Sequence, residues 1–124
     1  ENSKDINIRI VRGNLLNPFL NKDRFNVIIS NPPYISYSEK IDDLVYHNEP
    51  HIALYARKNG LYYYEKILKD IKQILEKDFI IAFETGMTQK KGVIKLINKY
   101  LSNVDIICKK DLQKRDRMIF IKSR

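Results

Sequence analysis

Residues 31–34 combine an asparagine, two prolines and a tyrosine directly after an apolar run. The side chain of Asn31 offers a carbonyl acceptor, and the backbone carbonyl of Pro32 is a second acceptor. Pro33 fixes its own φ at about −65° and keeps Pro32 extended, so both acceptors hold their direction. Tyr34 adds a flat face on which a planar group can pack. The motif therefore predicts a site that holds both hydrogens of a planar NH2 group.

Such an NH2 group is a poor nucleophile, because its lone pair is delocalised into a carbonyl or an aromatic ring. Two fixed acceptors draw the nitrogen toward a tetrahedral form and aim its lone pair at an electrophile. This is catalysis by positioning and by preorganised dipoles, and the proton can leave after the attack. Asn31, Pro32, Pro33 and Tyr34 are accordingly the predicted catalytic and substrate-binding residues. An ordinary Pro-Pro turn is the alternative, but this four-residue order after a strand is much rarer than two prolines.

The motif needs a strand to hold it. Residues 25–30 are almost continuously apolar, which predicts a strand buried on both faces, as in parallel sheets. A second apolar strand, residues 79–83, is followed by Glu84. Ligands bind beyond the carboxyl ends of parallel strands, so Asn31 and Glu84 would line one cleft if the two strands are neighbours. Glu84 is a predicted substrate-binding residue; capping of the next helix is its alternative role.

The remaining elements follow from hydrophobic periodicity. Helices are predicted where apolar residues recur every three or four positions, at residues 61–75 and 88–101. Three further strands are predicted at residues 6–11, 104–108 and 118–121. The last two would form an antiparallel hairpin joined by the charged stretch 109–117. This order predicts an α/β fold with a mostly parallel sheet that ends in an antiparallel hairpin.

Composition predicts one soluble domain. Apolar residues make up 44% of the 124 residues, enough for a core. No apolar run approaches the roughly 20 residues that a membrane span needs, and the polar first residues do not resemble a secretion signal. A cytoplasmic protein without membrane contact is expected. The single cysteine, Cys108, cannot form an internal disulfide and is expected to be a small buried hydrophobe.

Net charge is +8, which favours an anionic partner or simply solubility. The basic residues of the stretch 109–117 could bind RNA phosphates or form a solvated turn. His47 and His51 have a spacing that suggests a metal pair, but Pro50 interrupts it, so surface-loop histidines and no metal site are expected.

The chain resembles a known enzyme family in an ordered set of motifs. Asn31-Pro32-Pro33-Tyr34 matches the motif of class I methyltransferases that use S-adenosylmethionine to methylate planar nitrogens. The further matching segments are Glu49-Pro50, Ala53-Leu54, Asn59-Gly60-Leu61 with Tyr64, Phe83-Glu84-Thr85-Gly86 with Gln89, Lys110-Asp111-Leu112 and Asp116-Arg117. From about residue 10 to residue 121 the chain is thus similar to the release factor glutamine methyltransferases, the HemK/PrmC family.

This resemblance implies that residues 1–124 are the C-terminal part of a Rossmann-like class I methyltransferase domain. The donor would be S-adenosylmethionine, and the substrate the glutamine of the Gly-Gly-Gln loop of a peptide-chain release factor, free or on the ribosome. Asn31 and Pro32 would accept from that amide, and Tyr34 would pack on it. Asn31 would also lie near the donor, and Leu15 would contact its adenine.

The family's glycine-rich turn and its acidic residue, which grip the donor, should precede residue 6. Only residues 1–5 stand there, and none of the four glycines forms a G-x-G pattern. The N-terminal cofactor-binding strands are therefore expected to be absent. The chain alone is expected to bind S-adenosylmethionine weakly or not at all and to be inactive. Its exposed sheet edge would favour oligomers.

Two other functions remain open at this point. An adenine-N6 DNA or RNA methyltransferase applies the same Asn-Pro-Pro-Tyr chemistry to a flipped base, and the positive charge fits direct nucleic acid binding. A non-catalytic basic binding module would keep this half-sheet without the cofactor-binding half.

Overall fold

The computed structural model describes residues 5–32 and 60–124. Its strands and helices, in chain order, are β1 (Phe25–Ser30), α1 (Tyr62–Asp70), β2 (Leu75–Glu84), α2 (Lys90–Tyr100), β3 (Val104–Lys110) and β4 (Asp116–Ser123). Two short 3-10 helices accompany them, Asn17–Phe19 before β1 and Ile71–Ile74 between α1 and β2.

The four strands form one sheet in the order β1-β2-β4-β3. β1 and β2 are parallel, with Ile28 opposite Ile81, whereas β4 is antiparallel to both of its neighbours. β1, β2 and β3 therefore point the same way. The predicted α/β fold, a mostly parallel sheet with a final antiparallel hairpin, is confirmed. The chain passes from β1 to β2 through α1, as parallel neighbours require a crossover connection.

The core lies between the sheet and the two helices. Side chains that alternate along β2 and β4 point to this face and meet the apolar stripes of α1 and α2. Its fully buried members are Tyr64, Leu68, Ile71, Ile74, Ile81, Phe83, Val93, Ile97, Ile119 and Ile121. The stripes that the sequence predicts as core faces are therefore core faces.

The opposite face of the sheet is open, so the prediction that β1 is buried on both faces is wrong. Val27 and Ile29 are 58% and 76% exposed, and Ile80 and Ile107 on other strands are 41% and 47% exposed. Alternation along each strand turns these side chains away from α1 and α2. No element within residues 5–32 and 60–124 covers them. An apolar sequence allows a strand to be buried on both faces. Whether it is buried depends on which elements pack against it.

The strand predicted at residues 6–11 is also wrong. The segment is irregular, and Ile6, Ile8 and Ile10 are 64%, 77% and 93% exposed. A strand needs neighbouring backbone to pair its N–H and carbonyl groups. In the described ranges no strand lies beside this segment, so its alternating pattern has no sheet to join.

The boundary between α1 and β2 differs from the predicted one. The helix predicted over residues 61–75 ends at Asp70, and Leu75 already belongs to β2. The register between the two strands shifts at the start of β1, where Phe25 is opposite Leu75 and Val27 is opposite Ile80. The side chain of Asn26 donates to the carbonyl of Asp78 at 2.8 Å and thereby pairs a backbone group in this irregular stretch.

Gly13→Ala is expected to lower the free energy of unfolding by about 1–3 kcal/mol, the usual cost of overpacking. A Cβ at residue 13 would stand 1.9 Å from Cγ of Pro18, whose ring cannot rotate away. Gly92→Ala is the matched control, because its Cβ would meet only the flexible end of Leu61, at 2.5 Å. Alanine also favours the helix over glycine by about 1 kcal/mol. Urea unfolding measures both variants; equal losses would contradict this explanation.

Candidate active site at the carboxyl ends of the parallel strands

Asn31 and Glu84 lie at the same edge of the sheet. β1 ends at Ser30 and β2 at Glu84, and Ser30 is paired with Phe83 in the parallel register. The residues that follow the two strands are therefore neighbours, at the place where open α/β sheets bind their ligands. The adjacency on which the predicted cleft depended is confirmed.

The described residues of the Asn-Pro-Pro-Tyr motif differ in exposure. Asn31 is exposed, so its side-chain amide is accessible to a bound molecule, whereas Pro32 is buried. Glu84 is half-buried. Pro33 and Tyr34 lie outside the described residues, and their roles stay predictions.

Tyr64 anchors α1 to the end of β2. It is fully buried, and its ring meets Phe83 edge to face, with centroids 5.5 Å apart and an interplanar angle of 84°. Its hydroxyl donates to the backbone carbonyl of Glu84 at 2.6 Å. Sequence periodicity identifies Tyr64 only as a core residue. No local signal reveals its hydrogen bond, because the partner lies on a separate element.

The turn between β2 and α2 is held by Gln89. Its side-chain oxygen accepts from the backbone N–H of Gly86 at 3.0 Å, and its own N–H donates to the Gly86 carbonyl at 3.1 Å. Gln89 is 3% exposed. Gln89 is also the residue before the first turn of α2, and its side chain bonds to the turn rather than to the helix. The two roles predicted for Glu84, substrate binding and helix capping, stay predictions.

Asp111 organises the charged turn between β3 and β4. One carboxylate oxygen accepts from the backbone N–H groups of Gln113 and Arg115 at 2.8 and 3.0 Å. The other lies 3.0 Å from Nε of Arg115 and 3.6 Å from the guanidinium of Arg117. The N–H of Arg115, followed by that of Gln113, holds the pKa of Asp111 below its ordinary value. Two of the cations predicted to bind phosphate are thus paired within the turn.

Asp116 binds the same turn to α2. Its carboxylate oxygen lies 3.8 Å from Nζ of Lys90 and 3.9 Å from Nζ of Lys110. Since Met118, two residues further along β4, is opposite Glu84, the turn projects beyond the same sheet edge as the cleft. This basic surface is therefore beside the candidate site, with part of its charge already balanced.

Leu15 has a left-handed backbone, with φ of 52°, a conformation that is costly for a bulky residue. Its half-buried side chain packs against the core at the turn that precedes Asn17–Phe19. The predicted contact of Leu15 with adenine stays a prediction.

The predictions for the cysteine, for a metal site and for a membrane span can be compared with the structure. Cys108 is half-buried on β3 and packs against the core, so its interpretation as a small hydrophobe stands. No group of three or more His, Cys, Asp or Glu in residues 5–32 and 60–124 could hold a metal ion. His47 and His51 lie outside these ranges. Within the same ranges, every helix is too short or too polar to cross a bilayer.

Comparison with known proteins connects this sheet to one group of enzymes. The bifunctional methyltransferase of Rickettsia typhi is 41% identical over 116 residues, 92% of this chain and 22% of that protein. The release factor glutamine methyltransferase of Clostridium botulinum is 43% identical over 100 residues, 79% of this chain and 35% of the relative. That of Bacillus subtilis is 34% identical over 116 residues, 91% of this chain and 40% of the relative. The chain is a homologue of the release factor glutamine methyltransferases.

A solved structure supports the fold of this methyltransferase homologue. The crystal structure of protein-(glutamine-N5) methyltransferase (release factor-specific) from Alicyclobacillus acidocaldarius matches with a TM-score of 0.53 at 21% identity. The match covers 82% of this chain and 50% of that one. The resemblance expected from the sequence is confirmed, and the sheet is part of a methyltransferase fold. No family model matches the chain.

The chain spans only part of these relatives. Its matches cover between 22% and 44% of their length. The methyltransferase homologue described here therefore carries one portion of the structure that its relatives contain.

Asp111 is expected to titrate below its ordinary pKa in the folded protein, since backbone and guanidinium donors stabilise its charged form. A lowered folded-state pKa gives stability that is present above the unfolded pKa and is lost as pH falls through the folded pKa. Asp111→Asn keeps an acceptor oxygen but not the charge, so the stability gap between it and the wild type should close on acidification. NMR titration of the carboxyl carbon measures the pKa. A midpoint at or above the ordinary value would refute the assignment.

Proposed function

We propose that the full-length protein transfers a methyl group from S-adenosylmethionine to a glutamine side-chain amide in the Gly-Gly-Gln loop of a peptide-chain release factor. One observation carries the proposal: Asn31 and Pro32 follow β1 directly beside Glu84 at the end of β2, in a chain homologous to release factor glutamine methyltransferases. Release factors act where ribosomes translate, so we infer a cytoplasmic enzyme.

Asn31 and Pro32 hold the substrate amide in this proposal. The Asn31 side-chain oxygen and the Pro32 carbonyl accept its two hydrogens, and the nitrogen lone pair then points out of the amide plane. Bound S-adenosylmethionine supplies an electrophilic methyl group on a sulfonium. Asn31 and Pro32 would hold the nitrogen for attack on that methyl group, and the extra proton of the nitrogen would then leave for water. Asn31 can serve substrate and donor because it is exposed at the tip of an edge strand.

The neighbouring residues complete the cleft. Pro33 keeps the acceptors aimed, and Tyr34 packs on the planar amide. The half-buried Glu84 carboxylate lines the opposite side and accepts hydrogen bonds from the substrate loop.

Residues 1–124 contain only some of the groups that a site for S-adenosylmethionine needs. The exposed amide of Asn31 suits the meeting point of donor and substrate, and Leu15 offers an apolar contact for adenine. None of the four glycines forms the G-x-G turn that approaches a donor closely. We infer that residues 1–124 alone bind S-adenosylmethionine weakly or not at all.

Adenine-N6 methylation of nucleic acid is the less favoured function. Its support was the positive charge, and Arg115 and Arg117 are paired with Asp111. The named relatives at 30–43% identity include release factor glutamine methyltransferases.

The proposed reaction is tested with labelled S-adenosylmethionine and the full-length protein. Three substrates are offered: a purified release factor, the same factor with its loop glutamine changed to alanine, and duplex DNA. Label is expected in the first alone. Label in DNA would replace the proposal with adenine methylation, and label in none would favour a binding module.

Asn31→Ala is expected to lower kcat by about 10²–10³-fold, the usual effect of deleting one preorganised polar group at a reacting centre. KM for the release factor should change little, because most of the docking surface remains. Asn26→Ala is the matched control: it alters the same residue type at the other end of β1, where the side chain donates to the Asp78 carbonyl at 2.8 Å. Asn26→Ala should keep kcat. An Asn31→Ala enzyme with normal kcat would exclude the proposed role.

A further inference from the structure

The backbone N–H and carbonyl groups of Glu84 face β1. The N–H of Thr85 donates to the carbonyl of Arg117 at 2.8 Å, so the backbone groups of Thr85 face β4. Successive residues of a strand direct their N–H and carbonyl groups to opposite neighbours. The carbonyl of Glu84 therefore faces the β1 side, at the point where β1 has ended.

Pro32 stands where β1 would otherwise pair with that carbonyl. Ser30 is opposite Phe83, so in a parallel ladder its backbone groups bond to the residues before and after Phe83. Two residues further on, position 32 would donate its N–H to the carbonyl of Glu84. Proline has no N–H, and its presence ends the ladder at this carbonyl.

The hydroxyl of Tyr64 occupies the place of the missing donor. It donates to the Glu84 carbonyl at 2.6 Å, a short distance for a neutral hydrogen bond. The ring is fully buried and packed edge to face on Phe83, so the hydroxyl has little freedom to move. A strand end that the prolines leave unpaired is thus held from α1.

We propose that Tyr64 is a positioning residue of the active site, whose hydroxyl replaces the ladder donor that Pro32 lacks and so fixes Glu84 relative to Asn31. This inference rests on the proposed function. It explains how the motif can end the ladder between β1 and β2 without leaving the part-buried carbonyl of Glu84 unpaired. Tyr64 contacts neither substrate nor donor in this role and acts through the strand end.

Tyr64→Phe in the full-length protein tests the inference, because it removes one oxygen and keeps the ring contact with Phe83. We expect kcat to fall about 10-fold, the equivalent of one hydrogen bond of about 1.4 kcal/mol. KM for S-adenosylmethionine and for the release factor should change less than about 2-fold, within ordinary variation for contacts left intact. The NMR shift of the Glu84 carbonyl carbon should move, since that carbon reports its own hydrogen bond.

Tyr100→Phe is the control variant. The Tyr100 hydroxyl donates to the Glu65 carboxylate at 2.8 Å, and Tyr100 ends α2 just before β3 begins, at the sheet edge opposite the cleft. This variant loses the same atom and one hydrogen bond, but at a place remote from Glu84, so it should keep kcat and the Glu84 carbonyl shift. Thermal unfolding of both variants sets an assay temperature at which each is folded.

The outcomes separate the two proposals. If the wild type methylates the release factor and Tyr64→Phe has the same kcat, the positioning role is overturned and the proposed function stays intact. A kcat loss shared equally by Tyr100→Phe would also overturn it, because general destabilisation would then explain the loss. A wild type that methylates no release factor would overturn the proposed function. The Glu84 carbonyl shift would then still decide whether Tyr64 holds the strand end.

Discussion

Parallel pairing of β1 with β2 is the constraint on which the site depends. It brings residues that are distant in sequence to one edge, so that Asn31, which follows β1, lies beside Glu84, the last residue of β2. The pairing cannot continue through Pro32, since proline offers no donor, and the two strand ends are free to separate at the position where a ligand must enter. The ordered ladder therefore stops at a defined residue, Pro32, at the edge where we propose that the substrate binds.

The rest of the structure keeps that edge in place from one side. α1 and α2 cover a single face of the sheet, and their apolar stripes meet Ile81, Phe83 and Ile119. Gly92 of α2 lies close to Leu61, which precedes α1, so the two helices meet at this point. The turn that Asp111 organises stands at the same edge. Core packing and the rim of the cleft are thus joined through β2.

Much of this arrangement could be predicted from the sequence. The strand at residues 25–30, the two helices and the final hairpin follow from apolar spacing, and the place of Asn31 follows from the proline pair. Predictions from apolar spacing were wrong where the structure of a segment depends on a neighbouring element. Residues 6–11 alternate as a strand does but have no neighbouring strand in the part of the chain that is described. Val27 and Ile29 are apolar but uncovered. Tyr64 fills the core and also donates a hydrogen bond to the Glu84 carbonyl. Hydrophobic periodicity predicts its burial but not its hydrogen bond, because the acceptor lies on a different element.

The difference in connection length between the two halves of the sheet bears on folding. β3 and β4 are joined by a short turn that one carboxylate organises, and Ile106 pairs with the nearby Ile121. β1 and β2 pair residues such as Ile28 and Ile81, which are separated by a long connection. Closing a longer loop costs more entropy, so local hairpins form early and distant parallel pairs form late. We therefore expect the β3–β4 hairpin to form before β1 docks on β2.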